Sequence, residues 1–311
     1  MVIGGWLEEG VEEMIETVGF LGPKGTFTEM ATEAVFQREE RIPYSTIPAC
    51  MAAVAEKKVD YGVVPIENAI EGSVNMTLDY LIHKHDLPII GEVTVPISQN
   101  LLVHPSRKDD WTTVQHVYSH PQAIAQSHEF LQSVLPEAEV HYMNSTSAAA
   151  KKIAEEPELH AVAIANTLAA ETYNLLIAKK NIHDYENNHT RFVVLTNNEH
   201  RTLNREKAKK GKTTLVVTLP SDYPGALHQV LSAFAWRKLN MSKIESRPMK
   251  TGIGNYFFII DVNQEMDDVL IPGVIQELEA LGCGVRILGS YPCFYYEDMK
   301  EIAIGNMNTE A

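Results

Sequence analysis

Short apolar runs alternate with amphipathic, helix-like segments over the first two thirds of the chain. Each run has strand length, and apolar positions at helical spacing follow it. The predicted strands are 17–21, 61–66, 114–118, 140–143 and 161–165. This rhythm predicts an α/β fold with helices on both faces of its sheets.

Four of the predicted strands end in polar segments where a helix is expected to begin. In the first of them Thr26 caps the helix and Glu29 reaches back, which is the spacing of a capping box. The other three polar segments are 67–73, 119–122 and 144–148. In an open α/β sheet such ends gather in one crevice, and free N–H groups at helix N-termini hold anions. With Lys24 and Arg191 as the available cations, a carboxylate-binding cleft is predicted.

Two extended segments predict crossings between two lobes. Segment 91–103 is broken by Pro96, and the stretch NNHTRFVVL at 187–195 opens with polar residues and continues as a strand. In an extended chain Thr190 and Phe192 lie on one face and Arg191 on the other. The second crossing would therefore bring Thr190 to the cleft. Either the strand is irregular there, or Arg191 braces the site from behind.

A second pattern begins after the polar, charged segment 197–212, which lacks apolar periodicity and predicts a linker. The expected elements are a strand from 213, a helix at 224–239, strands at 243–247 and 255–262, a helix at 268–281 and a strand at 285–288. This βαββαβ order is typical of a small ferredoxin-like domain. It lacks a glycine-rich phosphate loop and an obvious nucleophile, so a binding module is favoured.

Charge and composition narrow the classes of partner. The 311-residue chain has 41 acidic and 26 basic residues, a net charge of −15, which argues against nucleic acid. Its apolar runs are too short to predict a membrane-spanning segment. The three cysteines are odd in number and lack CxxC spacing, so neither a disulfide framework nor a zinc ribbon is expected, and a reducing cytoplasm is predicted. The closely spaced pair His83 and His85 lacks a third ligand nearby, so no metal site is predicted.

The N-terminal residues 1–16 are interpreted as an extension. The Gly- and Glu-rich segment 8–13 precedes Met14 and is what translation of a purine-rich ribosome-binding leader would give. Our hypothesis is that the folded protein begins near Ile15. An added acidic amphipathic helix is the alternative.

Six motifs in order make residues from about 18 to 291 resemble a monofunctional prephenate dehydratase with a C-terminal ACT regulatory domain. They are GPKGTFTE, VPIENAIEGSV, YSHPQAIAQ and NHTRFVVL, followed by GALHQVL and KIESRP in the last domain. The resemblance implies a bilobal catalytic domain similar to type II periplasmic binding proteins, and a ferredoxin-like ACT domain. Ala69 departs from the family pattern, where many relatives have serine.

The resemblance also implies a reaction in which prephenate loses carbon dioxide and hydroxide to give phenylpyruvate, with no cofactor. Thr190 would donate a hydrogen bond or proton to the departing hydroxyl, beside Glu67 and Asn68. Phe192 would pack against the ring, and Arg191 would contact a carboxylate or brace the site. The substrate-binding candidates are Thr26, Ser119, Gln126, Lys24 and Ser147.

Regulation by phenylalanine is implied in the same way, as is a homodimer or homotetramer in which the effector binds across an interface of ACT domains. The matching residues are Gly225, Ala226, Leu227, Asn240, Glu245, Ser246, Arg247 and Pro248. Glycine at 225 would let backbone approach a ligand at a helix N-terminus.

The expected organisation is a catalytic domain at 17–196, the linker, an ACT domain at 213–292 and a tail at 293–311. One lobe would combine 17–96 with 180–196, and the other would be 97–179. Two alternatives stay open: an arogenate dehydratase, which would accept an amino group where prephenate has a keto group, and a bilobal amino-acid sensor without catalysis.

Overall fold

The computed structural model describes residues 15–221, 223–249 and 256–299. Residues 1–14 of the predicted extension at 1–16, and the end of the predicted tail at 293–311, lie outside the described residues. Within the described ranges, none of the helices combines the length and apolarity that crossing a membrane requires.

The first lobe is an α/β unit. Its strands are β1 (Thr17–Leu21), β2 (Glu40–Tyr44), β3 (Tyr61–Asn68), β4 (Gly72–Ser73) and β5 (Ile89–Pro96), and its helices are α1 (Phe27–Val35), α2 (Ile47–Ala55) and α3 (Asn75–His83). Strands β2, β1 and β3 are neighbours and run parallel. Helix α1 packs on one face of the sheet, and α2 and α3 pack on the other.

The second lobe repeats this plan. Its strands are β6 (Asn100–Val103), β7 (His116–Ser119), β8 (Glu139–Tyr142), β9 (Ala161–Ala165) and β10 (Leu176–Lys179), and its helices are α4 (Pro121–Ala125), α5 (His128–Val134), α6 (Thr146–Glu155) and α7 (Thr167–Thr172). The strand order is β10-β6-β9-β7-β8, and β9, β7 and β8 are parallel. The apolar run of β9 is buried on both faces, as expected for a central parallel strand.

The chain crosses between the lobes twice. It leaves the first lobe after β5, and it returns as β11 (His189–Thr196), which is inserted between β3 and β5 and is antiparallel to both. Phe192 and Val194 pack in the core on the α1 side of the sheet, and Val193 and Leu195 pack in the core on the α2 side. This strand therefore separates its side chains between two faces, as the alternation predicts.

The C-terminal domain has the predicted βαββαβ order. Its elements are β12 (Lys210–Thr218), α8 (Ala226–Trp236), β13 (Met241–Pro248), β14 (Tyr256–Val262), α9 (Leu270–Ala280) and β15 (Gly284–Tyr295). The antiparallel order β13-β14-β12-β15 leaves β13 at the edge, and both helices pack on one face. The other face packs against α2 and α3 of the first lobe.

Strand β15 joins the two domains into one sheet. Its last residues, Cys293, Phe294 and Tyr295, pair in parallel with Glu92, Val93 and Thr94 of β5. Strand β12 starts at Lys210 and β15 continues to Tyr295, so both extend beyond the predicted domain limits of 213 and 292. The sequence pattern also missed β2, whose short segment ERIPY begins with two charged residues and lies at the sheet edge.

Gly289 makes the domain junction possible. A Cβ atom at this position would lie 2.1 Å from the carbonyl oxygen of Ile89 at the start of β5. That contact is with backbone, so a side-chain rotation cannot relieve it. The close approach of β15 to β5 therefore requires glycine at this position.

We expect Gly289→Ala to destabilise the protein by about 1–3 kcal/mol, as overpacking of a closely packed site does. Thermal and urea unfolding of the full chain would measure it. Gly284→Ala on the same strand is the matched control, because its new Cβ would meet its nearest described neighbour at an ordinary 3.7 Å. Equal stability of the two variants would contradict this account of the junction.

Candidate active site

A cleft of about 500 Å³ lies between the two lobes. This volume is in the range of small-molecule sites. Its wall includes the ends of β1 and β3, the starts of α1, α4 and α6, and the first half of strand β11. The lining residues are Leu21, Thr26, Phe27, Thr28, Pro65, Asn68, Glu71, Gly72, Ser73, Val74, Ile97, Gln99, His120, Gln122, Ala123, Gln126, Asn144, Ser145, Thr146, Thr190 and Phe192.

Thr190 lies in the cleft with 9% of its surface exposed. Asn68, at the end of β3, donates from Nδ2 to Thr190 Oγ1 at 2.9 Å. The orientation of the Asn68 amide is fixed because its Oδ1 accepts from the backbone N–H groups of Ile70 and Glu71, both at 3.0 Å. Since Thr190 Oγ1 already accepts from Asn68, its own proton is the part of the group that a ligand in the cleft can receive.

Amide side chains connect Thr190 to the second lobe. Gln126, at the C-cap of α4, accepts at Oε1 from Asn188 Nδ2 at 3.2 Å, and Asn188 Oδ1 accepts from Asn68 Nδ2 at 2.9 Å. Gln126 and Asn188 are both buried. Unpaired buried amides are costly, so this chain of hydrogen bonds holds the two lobes in register at the Thr190 hydroxyl.

Two hydroxyl-capped helices point their N-termini at the cleft. Thr26 accepts from the backbone N–H of Glu29 at 3.3 Å at the start of α1, and Ser145 accepts from Ala148 N–H at 3.0 Å at the start of α6. Both helices have at least nine residues. Their remaining N–H groups and dipoles favour a carboxylate in the cleft.

The prediction of four hydroxyl caps is wrong for the other two helices. Pro121 occupies the first turn of α4, so His120 becomes the N-cap, and its ring nitrogen accepts from Gln122 N–H at 3.3 Å. Burial lowers the pKa of His120 below its ordinary value of 6.5, although the charge of Glu71 opposes this shift. The lowered pKa favours the neutral ring at neutral pH. Helix α3 starts after Val74, which offers no side-chain cap.

Three residues predicted to contact the substrate are not among those that line the cleft. Ser119 is fully buried at the end of β7 and donates to the Ile164 carbonyl at 2.7 Å, which occupies its hydroxyl inside the sheet. The buried Ser147 donates to the backbone carbonyl of Lys24, so it joins the lobes beside the cleft. Lys24 itself is exposed and is not among the lining residues. The cap of α6 that reaches the cleft is Ser145, two residues before Ser147.

Glu67 and Arg191 lie on the opposite face of their strands from the cleft. The carboxylate of Glu67 accepts from the Arg191 guanidinium, and Glu67, Arg191 and Ala69 line a separate pocket against the C-terminal domain. Alternation along β3 and β11 is the reason, since neighbouring residues Asn68 and Thr190 face the cleft. Strand β11 does shift register against β3 after Arg191, but the arginine stays behind the site. The sequence left open whether the strand is irregular or Arg191 braces the cleft from behind. In the structure Arg191 lies behind the cleft.

Arg191 is the centre of a buried ion cluster. Besides Glu67, its Nη2 donates to Glu92 at 2.6 Å and to Asp261 of β14 at 2.7 Å. Lys212 bonds both oxygens of Glu92 at 2.8 and 2.9 Å. Lys243 approaches Glu67 at 3.1 Å, so three cations face three carboxylates. These six groups are neutral as a set and span the first lobe and the C-terminal domain, and Lys243 also pairs with Glu245 at 3.3 Å.

The pKa shifts follow from this arrangement. Burial alone would raise the pKa of Asp261, but the charges of Arg191 and Lys212 outweigh it and hold the pKa below the ordinary 3.8. Burial likewise opposes the charge of Arg191, while Glu92 and Asp261 raise its pKa above the ordinary value. A carboxyl with a depressed pKa stabilises the fold above its unfolded pKa. This contribution is lost as the pH falls below 3.8 and through the folded pKa.

The residues matched to effector binding lie on two parts of the C-terminal domain. Gly225 has φ of +93°, which favours glycine, and is the N-cap of α8, while Ala226 is buried and Leu227 is exposed. Glu245, Ser246, Arg247 and Pro248 form the end of edge strand β13, and Asn240 precedes that strand. An added Cβ at Gly225 would meet none of the described atoms within 4 Å, so the space beside it is open.

Sequence reasoning missed Ser145 and Ser73, which line the cleft, and Asn188, which is buried in the amide chain beside it. Asn188 stands two residues before Thr190 at a chain crossing, and that position is the signal that could have identified it. Among the described residues, the group of three side chains close enough to share a metal ion lies away from this cleft, on β7 and β8.

The fold and cleft define a class: a bilobal α/β protein with a cleft of small-molecule size between its lobes and an appended ferredoxin-like domain. The family model of prephenate dehydratase matches residues 18–200, and the ACT domain model matches residues 213–282. The chain therefore belongs to the prephenate dehydratase family and has a C-terminal ACT domain.

Individual relatives agree with this assignment. The chain is 55% identical over 281 residues to the prephenate dehydratase of Bacillus subtilis, covering 89% of this chain and 99% of the relative. A structure of prephenate dehydratase from Arthrobacter aurescens in complex with L-Phe is 35% identical, with a TM-score of 0.78 over 88% of this chain and 89% of that one. GqqA, described as a novel type of quorum quenching acylase, has a TM-score of 0.77 at 25% identity over 89% of this chain and 98% of its own. The fold alone therefore does not fix the reaction, and the higher sequence identity decides the family.

Removing the Arg191 charge leaves the cluster with one uncompensated buried negative charge. We expect Arg191→Met to destabilise the protein by about 3–5 kcal/mol, the usual cost of breaking a buried ion pair. Adding Asp261→Asn restores neutrality, so the double variant should be more stable than the sum of the two single changes predicts. Urea unfolding of all four proteins measures this coupling.

Arg205→Met is the control, because Arg205 pairs with Glu265 and its side chain is 57% exposed. Exposed pairs contribute about 0.2–1 kcal/mol, so this change should have little effect. Strictly additive effects of the Arg191 and Asp261 changes would contradict the proposed charge balance.

Proposed function

We propose that the chain catalyses the decarboxylating dehydration of prephenate to phenylpyruvate, with Thr190 assisting the departure of the hydroxyl. The ring carboxylate leaves as carbon dioxide, its bonding electrons enter the ring, and the C–O bond at the opposite carbon breaks. The departing hydroxide takes a proton and becomes water. The observation that carries this role is the hydrogen bond from Asn68 to Thr190 Oγ1, which leaves the Thr190 proton for the leaving group.

Thr190 is a weak acid, so its contribution comes from placement. A positioned proton donor typically contributes about 10²–10⁴-fold to the rate. Asn68 is locked by its own backbone contacts, and Gln126 and Asn188 complete the same network. We therefore assign Asn68 as a positioning residue and Gln126 as a group at the edge of the substrate. Phe192 supplies part of the apolar wall for the ring.

Carboxylate binding in this cleft would rely on backbone donors. Within the described chain, the residues that line the cleft include no lysine or arginine, and the N-termini of α1 and α6 point into it. A guanidinium bound to the departing carboxylate would stabilise the reactant more than the transition state, because the negative charge leaves that group. Helix N-termini hold an anion with partial charges, which avoids this penalty.

Phenylalanine control would act through β13. The side chains of Lys243, Glu245 and Arg247 face the first lobe, where Ser73 Oγ donates to Glu245 at 2.5 Å and accepts from Lys243 at 2.6 Å. Arg247 also donates to Asp79 of α3 at 2.9 Å. Ser73 lines the cleft, so an effector that shifts β13 would alter the cleft wall directly.

Alternative assignments are distinguished by turnover. An arogenate dehydratase would prefer the amino analogue, and a sensor would bind without producing phenylpyruvate. Steady-state kinetics with both substrates separates the three. A homodimer or homotetramer and a cytoplasmic location stay predictions.

We expect Thr190→Ala to lower kcat for prephenate by at least about tenfold, equivalent to about 1.4 kcal/mol of barrier, with KM nearly unchanged. The hydroxyl acts on charge that develops only in the transition state, which is why binding is spared. Thr190→Ser should keep much of the rate because it retains the donor. Absorbance assays of phenylpyruvate, with thermal unfolding as the folding control, provide the measurement. A wild-type rate in Thr190→Ala would assign the proton to another group.

Effector binding and effector response should separate in two variants. Gly225→Val places a branched residue at φ of +93° and fills the open space at the start of α8, so phenylalanine should bind at least about tenfold more weakly. Ser73→Ala should leave phenylalanine affinity closer to wild type but reduce inhibition, because it removes the contact between Glu245 and the cleft wall. Calorimetric titration and inhibition assays test both, and unchanged affinity and inhibition in Gly225→Val would exclude this effector site.

A further inference from the structure

Three potential metal ligands meet on the second lobe, away from the cleft. His116 and Glu139 are the first residues of the parallel strands β7 and β8, and they are register partners. His141 lies two residues after Glu139 and therefore on the same face of β8. The ligand atoms of the three side chains all lie within 4.8 Å of one another.

The distances suit a small metal ion. His116 Nδ1 and His141 Nε2 are 2.9 Å apart, and Glu139 Oε2 lies 3.7 Å from each of them. A point equidistant from the corners of this triangle lies about 2.0 Å from each atom. Zinc bonds to imidazole nitrogen measure about 2.0–2.1 Å and those to carboxylate oxygen about 2.0–2.2 Å.

The neighbouring residues orient the three ligands, and the nearby lysine is paired with a glutamate. The Tyr118 ring stacks on the His141 ring with centroids 4.6 Å apart and planes at 15°. Lys152 of the covering helix α6 lies 5.4 Å from the Tyr118 ring centre, and it is paired with Glu156 at 2.7 Å. The Glu139 side chain is 69% exposed, so an ion has a route in from solvent.

We propose that His116, Glu139 and His141 form a zinc site that fastens edge strand β8 to β7. Two neutral imidazoles and one carboxylate are a donor set that zinc accepts, with water in the fourth position. Zinc takes the place of the hydrogen bond between the two imidazoles, and the proton of that bond moves to the other nitrogen of its ring, so both bound imidazoles stay neutral. His116 and Glu139 begin the two strands, whereas the cleft lies beyond the last residues of both, so the effect of zinc is on the stability of the second lobe.

The experiment is a calorimetric titration of the full, chelator-treated chain with zinc chloride, with magnesium chloride as the hard-cation control. We expect one zinc per chain, no magnesium binding, and a rise in the unfolding temperature of at least about 3 °C when free zinc exceeds the dissociation constant about 100-fold. Cobalt substitution should give visible d–d absorption. The three cysteines are buried and do not compete in the folded chain.

His141→Gln and Glu139→Gln should each weaken zinc binding by at least about tenfold, since even loss of an outer-shell partner costs about 10–100-fold. Glu139→Gln changes an exposed side chain and therefore tests the proposal without threatening the fold. His128→Gln, on the exposed surface of α5 in the same lobe, is the matched control and should bind zinc as wild type does. No zinc-dependent stabilisation of the wild type, or equal zinc affinity in wild type and both ligand variants, would overturn the site.

Discussion

The Arg191 guanidinium is the group on which the positions of strand β11 and the C-terminal domain depend. It is 18% exposed and holds carboxylates from β3, β5 and β14. Breaking one partner of such a buried pair costs several kcal/mol, so these strands are constrained to move together. Because Arg191 follows Thr190 directly, the charge balance behind the sheet also fixes the hydroxyl in front of it.

Strand β11 serves two functions through its two faces. Thr190 and Phe192 face the cleft, where Asn68 and a chain of amides position the hydroxyl. The other face carries the ion cluster and the contact with the ACT domain. Alternation along one extended strand therefore places chemistry and mechanical support within a single residue of each other. An acidic chain can hold an anionic substrate in this cleft because helix N-termini supply the positive potential locally.

The ACT domain is attached by more than a linker. Strand β15 continues the sheet of the first lobe, Gly289 permits the close approach, and β13 contacts the segment that lines the cleft. In the proposed control, phenylalanine would shift β13 relative to Ser73, whose hydrogen bond to Glu245 joins β13 to the cleft wall. The coupling between effector and substrate would be reciprocal, as linkage requires.

The sequence by itself determined the α/β rhythm, the βαββαβ domain, the cap at Thr26 and the shared face of Thr190 and Phe192. These features depend on spacings of one to four residues, which local periodicity reveals. Only the tertiary structure decided the partners: Glu67 lies 124 residues from Arg191, Asp261 lies 70 away, and His116 meets His141 across two strands. Ser119 and Lys24 were predicted to contact the substrate because local sequence indicates the face on which a side chain lies. It does not reveal which distant residue that side chain contacts. The partner of each side chain depends on the strand register between distant segments. That register follows from the packing and charge balance of the whole chain.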